Sequence, residues 1–321
     1  MIAVTAAALA SCTPERAPFE LRLGHDQPQG HPYDLGTRRF ADRVRAATGG
    51  AVNIQVFPSA QLGDSPEQFE GLHLGTQDLA LAAFSHASQF CGDFGLFGAP
   101  FLFEDDEHFA AVFDGEVGRL LDGSCRGRYK VGLLSTFTSG YRLLFNGRRP
   151  VRSAADLAGL KIRVMAGEAD ALTWQIFGAV PSPMPYSEVY SALQFGVIDG
   201  AENEPVSILT NRFYEAAAHF ALTNHLVLPM GLFISERTLN RLPDAHREVV
   251  QREAWTAALW QRELITERNA EALVEMQQKH GVQLSTPDIE ELRARGAAIQ
   301  DRMAAKLGLQ DLLAKVRAEA R

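Results

Sequence analysis

Apolar and polar residues alternate at the head of the chain, where Phe19, Leu21 and Leu23 are spaced by two and predict a strand from Phe19 to Gly24. A Gly/Pro/His loop follows to Pro32, and then Leu35, Phe40 and Val44 mark the apolar face of a helix that stops at Gly49-Gly50. Val52, Ile54 and Val56 return to period two as a second strand, ended by Pro58. Ser65-Pro66-Glu67-Gln68 predicts a helix start, with an N-cap serine, proline at the first helical position and a capping-box glutamine. That helix ends at Gly75, and Asp78 to Ala83 is a third strand. Strands alternating with helices of roughly 10–15 residues predict a parallel α/β sheet.

The same pattern resumes beyond a helix predicted over Glu107 to Leu121, whose leading acids Asp105-Asp106-Glu107 suit the positive end of the helix dipole better than a catalytic cluster. A second β–α series starts near Val131. Gly159 to Val164 is a strand, Glu168 to Phe177 a helix, Ser187 caps a helix closing at Gly196, and Val197 to Gly200 is a strand and turn. Asp244 to His280 contains neither Pro nor Gly and reads as one helix. That exceeds the ~25 residues beyond which a helix needs a special explanation. Its scattered charges exclude a membrane span, and Val249, Val250, Trp255, Leu259, Leu264 and Leu273 keep no heptad register. A strut crossing two domains explains it.

Two domains also suit a chain of 321 residues. With 46% hydrophobic and 22% charged residues the chain is of globular type, and a formal charge of −8 supplies no basic stripe for nucleic acid. Met1 to Ser11 is too short to span a bilayer and reads as the apolar core of a secretory signal. Leu9-Ala10-Ser11-Cys12 resembles a lipobox, which would make Cys12 a lipidated residue; a plain cleaved signal is the alternative. No Lys or Arg precedes Arg16, which a start site placed too far downstream would explain. Either reading puts the mature chain outside the cytoplasm, where Cys91 and Cys125 form an even count. A disulfide and two buried free thiols both remain open.

Catalytic signatures are missing from the sequence. There is no zinc-protease helix motif, nucleophile elbow or phosphate-cradling loop, and Gly92, Gly95 and Gly98 lack the Lys-Ser/Thr of a phosphate site. The nine histidines never pair at metal-ligand spacing; His25 and His31 share a loop without a third ligand near them. What stands out is Gly140-Tyr141-Arg142, Leu160-Lys161-Ile162-Arg163 and Asp199-Gly200-Ala201-Glu202-Asn203. Arg142, Arg163 and Asn203 fall at predicted strand ends, where α/β sheets bind ligands. A guanidinium offers a planar fork to both oxygens of a carboxylate, and asparagine adds a donor and an acceptor. For Arg163 a structural salt bridge to Glu202 or Glu188 is the competing explanation.

These three motifs belong to a longer ordered set: Thr48-Gly49-Gly50, Pro58-Ser59-Ala60-Gln61-Leu62-Gly63, Gly75-Thr76-Gln77-Asp78, Pro100-Phe101-Leu102-Phe103, Asp156 to Val164, Gly178-Ala179-Val180-Pro181, Pro183 to Gln194, Phe213-Tyr214-Glu215 and Thr223-Asn224-His225. From about Leu21 to Leu242 the chain resembles the solute-binding proteins of tripartite ATP-independent periplasmic (TRAP) transporters. The resemblance implies an α/β, two-lobed periplasmic-binding-protein fold with discontinuous domains, a cleft between the lobes and a long helix spanning both. Residues 1–18 would be a signal segment and linker, 19–138 with 229–268 one lobe, and 139–228 with 269–321 the other.

It further implies a non-enzymatic periplasmic protein without cofactor or metal, which clamps a small organic acid and delivers it to membrane permease subunits. Arg163 matches the carboxylate-binding arginine, Arg142 a second ligand arginine and Asn203 the ligand asparagine. Glu202 would brace Arg163, Tyr186 would line the pocket, and Asp26 and His86 occupy positions that vary with substrate; they could equally be surface loop residues. Members often read Gln-Glu-Asn-Pro where this chain has Ala201-Glu202-Asn203-Glu204-Pro205, a form closer to the sugar-acid binders. Ser65 and Ala83 replace the acids of sialic-acid binders. A uronate or aldonate is therefore expected ahead of a C4 dicarboxylate. An enzyme on the same scaffold, or the input protein of a sensor, would be alternatives.

Overall fold

A computed structural model of the chain describes residues 17–320; Cys12 and the signal segment lie outside them. Nine strands form one sheet: β1 (Phe19–Gly24), β2 (Val52–Phe57), β3 (Leu79–Ala83), β4 (Val131–Asn146), β5 (Lys161–Val164), β6 (Val180–Pro183), β7 (Gly200–Asn203), β8 (His219–Ser235) and β9 (Gln283–Ser285). Their order is β2-β1-β3-β8-β4-β7-β5-β6, with β9 pairing β8. Parallel pairing holds for β1 with β2 and β3, for β5 with β6 and β7 and for β8 with β9, whereas β4 runs antiparallel to β7 and β8, and β8 antiparallel to β3.

The two long strands make one sheet serve two lobes. Val131 to Thr138 of β4 pairs with the end of β8 that also carries β3, and Tyr141 to Asn146 pairs with the end of β8 that carries β9. The register slips between Thr138 and Tyr141, and Gly140 there takes φ +65. A side chain at Gly140 would have to adopt that left-handed conformation and would meet Asn269 Nδ2 at 2.7 Å. The amide of Asn269 donates to Ser139 O at 2.9 Å and accepts from Val206 N at 3.1 Å, stitching the crossing point to both sides.

Asn269 belongs to the helix Asp244–His280, which has the bounds predicted for it. Val250, Ala254, Ala257, Ala258, Gln261 and Ile265 form its buried stripe, at helical spacing. The helix packs on Pro32–Ala47, on β4 and on Pro205–Thr210, so it does strut both halves. Gly36 permits that closeness, since a Cβ there would lie 2.7 Å from Phe137 and 3.2 Å from Gln261.

Gln261 replaces the ladder partners that Thr138 loses at the slip. Its amide oxygen accepts from Thr138 N at 3.0 Å and its amide nitrogen donates to Thr138 O at 2.9 Å, all buried. Gln261→Leu strands both backbone groups and is expected to cost about 1–3 kcal/mol. Urea unfolding checks this, and an unchanged midpoint would refute it.

Several local expectations are corrected. The helix predicted over Glu107 to Leu121 is two helices, Asp106–Asp114 and Glu116–Tyr129, broken at Gly115. Asp64, not Ser65, holds the N-cap position of Ser65–Leu74, and the Gln68 amide donates to Gly63 O instead of closing a capping box. Ser187 caps no helix; its hydroxyl donates to Asp64 Oδ2 at 2.9 Å. The strand expected over Val197 to Gly200 begins at Gly200. Of the two alternatives left open for Cys91 and Cys125, the structure has the disulfide, Cα to Cα 5.4 Å, within the largest core cluster.

Candidate functional site

One cavity gathers residues from widely separated stretches of sequence. Asp26 and Gln27 come from the loop after β1, Ala83 and His86 from the end of β3, and Arg142 from β4. Arg163 comes from β5 and Met165 from just after it, Tyr186 from the turn after β6, Asn203 from the end of β7 and Glu204 from the residue that follows. Strand ends thus converge on the middle of β4, where Arg142 lies inside the strand just past the register slip and not at a strand end as predicted. The inner cavity measures about 30 Å³. A larger one of about 230 Å³ adjoins it, sharing Asp26, His86 and Tyr186 and reaching Asp64, Ser65 and Pro183. All six sequence-predicted contact residues other than Glu202 line the inner cavity.

Arg142 and Arg163 are both buried, with opposite surroundings. The Nε of Arg142 donates to Glu202 Oε2 at 2.5 Å, and its Nη2 donates to Glu202 Oε1 and to Glu202 O, each at 2.9 Å. Its Nη1 donates to Asn203 Oδ1 at 2.5 Å and Glu204 Oε2 at 2.6 Å. A guanidinium has five N–H groups, and each of these is occupied. The two carboxylates raise the pKa of Arg142 against the effect of its burial. Burial alone would raise that of Glu202, but the charge and hydrogen bonds of Arg142 prevail and hold it down to about 2.

Glu202 therefore braces Arg142, not Arg163 as the sequence suggested. The sheet register explains the difference: Ala201 pairs with Arg163 and Glu202 pairs with Leu144. Neighbouring residues of a strand point to opposite faces, so Glu202 shares a face with Leu144 and Arg142, and Arg163 lies on the other. No carboxylate among the described residues, Glu188 included, forms an ion pair with Arg163.

Instead, Arg163 Nε and Nη2 both donate to Met184 O, at 3.1 and 2.9 Å, and the guanidinium lies 5.7 Å from the centre of the Tyr186 ring. Its Nη1 makes no hydrogen bond to a described residue. Burial lowers its pKa, opposed by the charge of Glu202; an arginine remains charged regardless. The result is a buried cation, 2% exposed, with no carboxylate of the described residues within ion-pairing distance.

Around it, the Tyr186 hydroxyl accepts from Asn203 Nδ2 at 3.2 Å and Asn211 Nδ2 at 3.0 Å and donates to Gln27 Oε1 at 3.5 Å. Asp26 Oδ2 accepts from Ser65 at 3.3 Å, while Asp26 Oδ1 and His86 Nδ1 are buried without partners among the described residues. Burial raises the pKa of Asp26. Burial first, then the nearby Arg163 and Arg142 charges, lower that of His86 to about 3, so its imidazole is neutral. Asp26 and His86 are thus cavity residues and not surface loop residues. Gln27, Tyr33, Glu204, Met165 and Met230 also line the cavity. For Gln27 and Glu204 the signal was adjacency to a predicted residue; Tyr33 and the two methionines carried none.

The family description that matches residues 23–307 is bacterial extracellular solute-binding protein, family 7. The chain belongs to that family. Among its solved relatives, a TRAP periplasmic solute-binding protein from Polaromonas sp. JS666, bound to D-erythronate, is 31% identical, with 94% of this chain and 98% of that one covered and a TM-score of 0.89. One from Roseobacter denitrificans, with bound β-D-glucuronate, is 28% identical over 93% of this chain and 99% of that one, also with a TM-score of 0.89. The C4-dicarboxylate-binding periplasmic protein DctP of Rhodobacter capsulatus is 28% identical over 98% of this chain and 95% of its own length. The TRAP solute-binding fold of this family-7 protein is the α/β arrangement described above.

Proposed function

We propose that this protein is the periplasmic binding component of a TRAP-type transporter and that its ligand is a small sugar acid, a uronate or aldonate, anchored by Arg163. The observation that carries the reading is the buried guanidinium of Arg163, with which no carboxylate of the described residues forms an ion pair. A buried charge is retained where something compensates it, and a ligand carboxylate supplies that compensation with matching fork geometry. The unpartnered Asp26 Oδ1 and His86 Nδ1 then receive the hydroxyl groups of the ligand. Relatives with bound erythronate and glucuronate support the class.

Lobes made of residues 19–138 with 229–268, and 139–228 with 269–321, would close on the ligand about β4, β8 and the long helix. The closed protein would deliver its ligand to membrane permease subunits, tethered by a lipid at Cys12 where that cysteine is processed. The Rhodobacter relative favours a second reading, a C4 dicarboxylate. A thermal-shift screen separates the two, using glucuronate, galacturonate, gluconate, succinate and malate. At a hundredfold excess over its dissociation constant a ligand adds about 2.7 kcal/mol of stability. Stabilisation by succinate or malate and by no sugar acid would overturn the sugar-acid assignment.

A further inference from the structure

The cavity contains two arginines, but only one of them has anything to offer. Glu204 lies at the start of the helix Pro205–Thr210 and lines the cavity beside Arg142. Its Oε2 accepts from Arg142 Nη1 at 2.6 Å, and its Oε1 accepts from Ser207 Oγ at 2.5 Å and Tyr33 Oη at 3.3 Å. Ser207 is in turn held by His31 Nε2 at 3.0 Å. The carboxylate is thus fixed in place by three side chains, one of them supported from behind. With Glu202 and Asn203 taking the other N–H groups, no donor of Arg142 is left to face a ligand.

We infer that Glu204 sets the charge selectivity of the site: by holding Arg142 within the protein it leaves Arg163 as the sole guanidinium for ligand, so the pocket takes acids with one carboxylate and rejects those with two. This inference rests on the sugar-acid reading above. A second carboxylate entering the cavity would be desolvated with no free cation to meet it, and it would approach the carboxyl groups of Glu204 and Asp26. Burial favours the neutral form of Glu204. In either state its Oε2 accepts from Arg142 Nη1, and that occupied donor is what withholds Arg142 from a ligand. An alcohol in place of the second carboxylate meets no such penalty, and it can donate to Asp26 Oδ1.

Galactonate and galactarate test this cleanly, since the second differs from the first only by a carboxylate at the far carbon. Titration calorimetry on the unaltered protein is expected to give galactonate an affinity at least about tenfold above that of galactarate, as like charges brought together are costly. Glu204→Ala frees an Arg142 N–H toward the cavity and is expected to close most of that gap, chiefly by tightening galactarate. Should the alanine variant fail to fold, Glu204→Ser also withdraws the acceptor from Arg142 Nη1, keeps a polar group beside Ser207 and is expected to move the ratio the same way. Galactarate binding the unaltered protein as tightly as galactonate would overturn the inference and leave the sugar-acid reading standing. So would a ratio that stays constant in every folded variant. No heat from galactonate, glucuronate or galactarate would take down the sugar-acid reading, and this inference with it.

Discussion

Arg163→Met is expected to weaken ligand binding by about 2–5 kcal/mol, because an anion desolvated in the cleft loses its charged partner. The same variant is expected to leave the ligand-free protein as stable as its parent, or more so. The reason is the surroundings of Arg163: its guanidinium is buried against Met184 O and the Tyr186 ring with no carboxylate beside it. Replacing such a charge with an apolar side chain of similar reach removes a desolvation penalty and strands only one carbonyl. Lysine is a poor substitute for binding, as a point charge cannot present two parallel N–H groups to a carboxylate. Calorimetry and urea unfolding on the same protein preparations read both halves of the expectation. A folded Arg163→Met protein that binds with unchanged affinity would remove Arg163 from the site. One that loses several kcal/mol of stability without ligand would mean that a protein group compensates the charge.

Local signals made much of this fold legible in the sequence. Period-two alternation in β1 and the unbroken helical run from Asp244 to His280 need no tertiary information, and their bounds emerge as read. Misses arose where two local solutions compete. Gly115 breaks a helix that propensity alone continues, and the hydroxyls of Ser65 and Ser187 turn to the carboxylates of Asp26 and Asp64 instead of capping helices. Each of those partners is distant in sequence.

The site divides in the same way. Arg163 and Asn203 were visible because strand ends in an α/β sheet point at ligands, whereas Arg142, expected at a strand end, lies inside β4 just past its register slip. Which acid would hold which arginine was not visible, since it depends on the register of β7 between β4 and β5, and a shift of one residue exchanges the faces. Glu204 appeared in the sequence only as an extra acid between Asn203 and Pro205. Its importance comes from the position of Tyr33, far away in the chain, whose hydroxyl helps to aim it at Arg142. For Cys91 and Cys125 the sequence left bond and free thiols open, and only the packing of the helix Glu116–Tyr129 against the Gly92–Gly98 turn brings them together.

Arg142→Ala is expected to do the reverse of the Arg163 substitution, destabilising the protein with or without ligand by about 3–5 kcal/mol. It leaves Glu202 and Glu204 buried, 3% and 1% exposed, without the cation that accepts their charge. The pH dependence distinguishes this cause from a mere packing loss. In the parent, the pKa of Glu202 lies at about 2, below its ordinary 4.5. A depressed folded-state pKa means stability that is fully present above the unfolded value and is lost as pH falls through the folded one. Without Arg142, the hydrogen bond and charge of His225 still oppose the burial of Glu202, but its pKa moves upward from the parent value and acid favours the variant. Glu204 is already raised by burial in the parent and adds no acid-labile stability there. The deficit of Arg142→Ala should therefore be largest near neutral pH and shrink as the pH falls through the variant's raised Glu202 pKa toward the parent's value of about 2. Urea midpoints of parent and variant, measured at about pH 7 and about pH 4, give the comparison. A deficit that is constant across that range would assign the loss to packing, and one that grows with acid would contradict the charge pairing of Arg142 with Glu202.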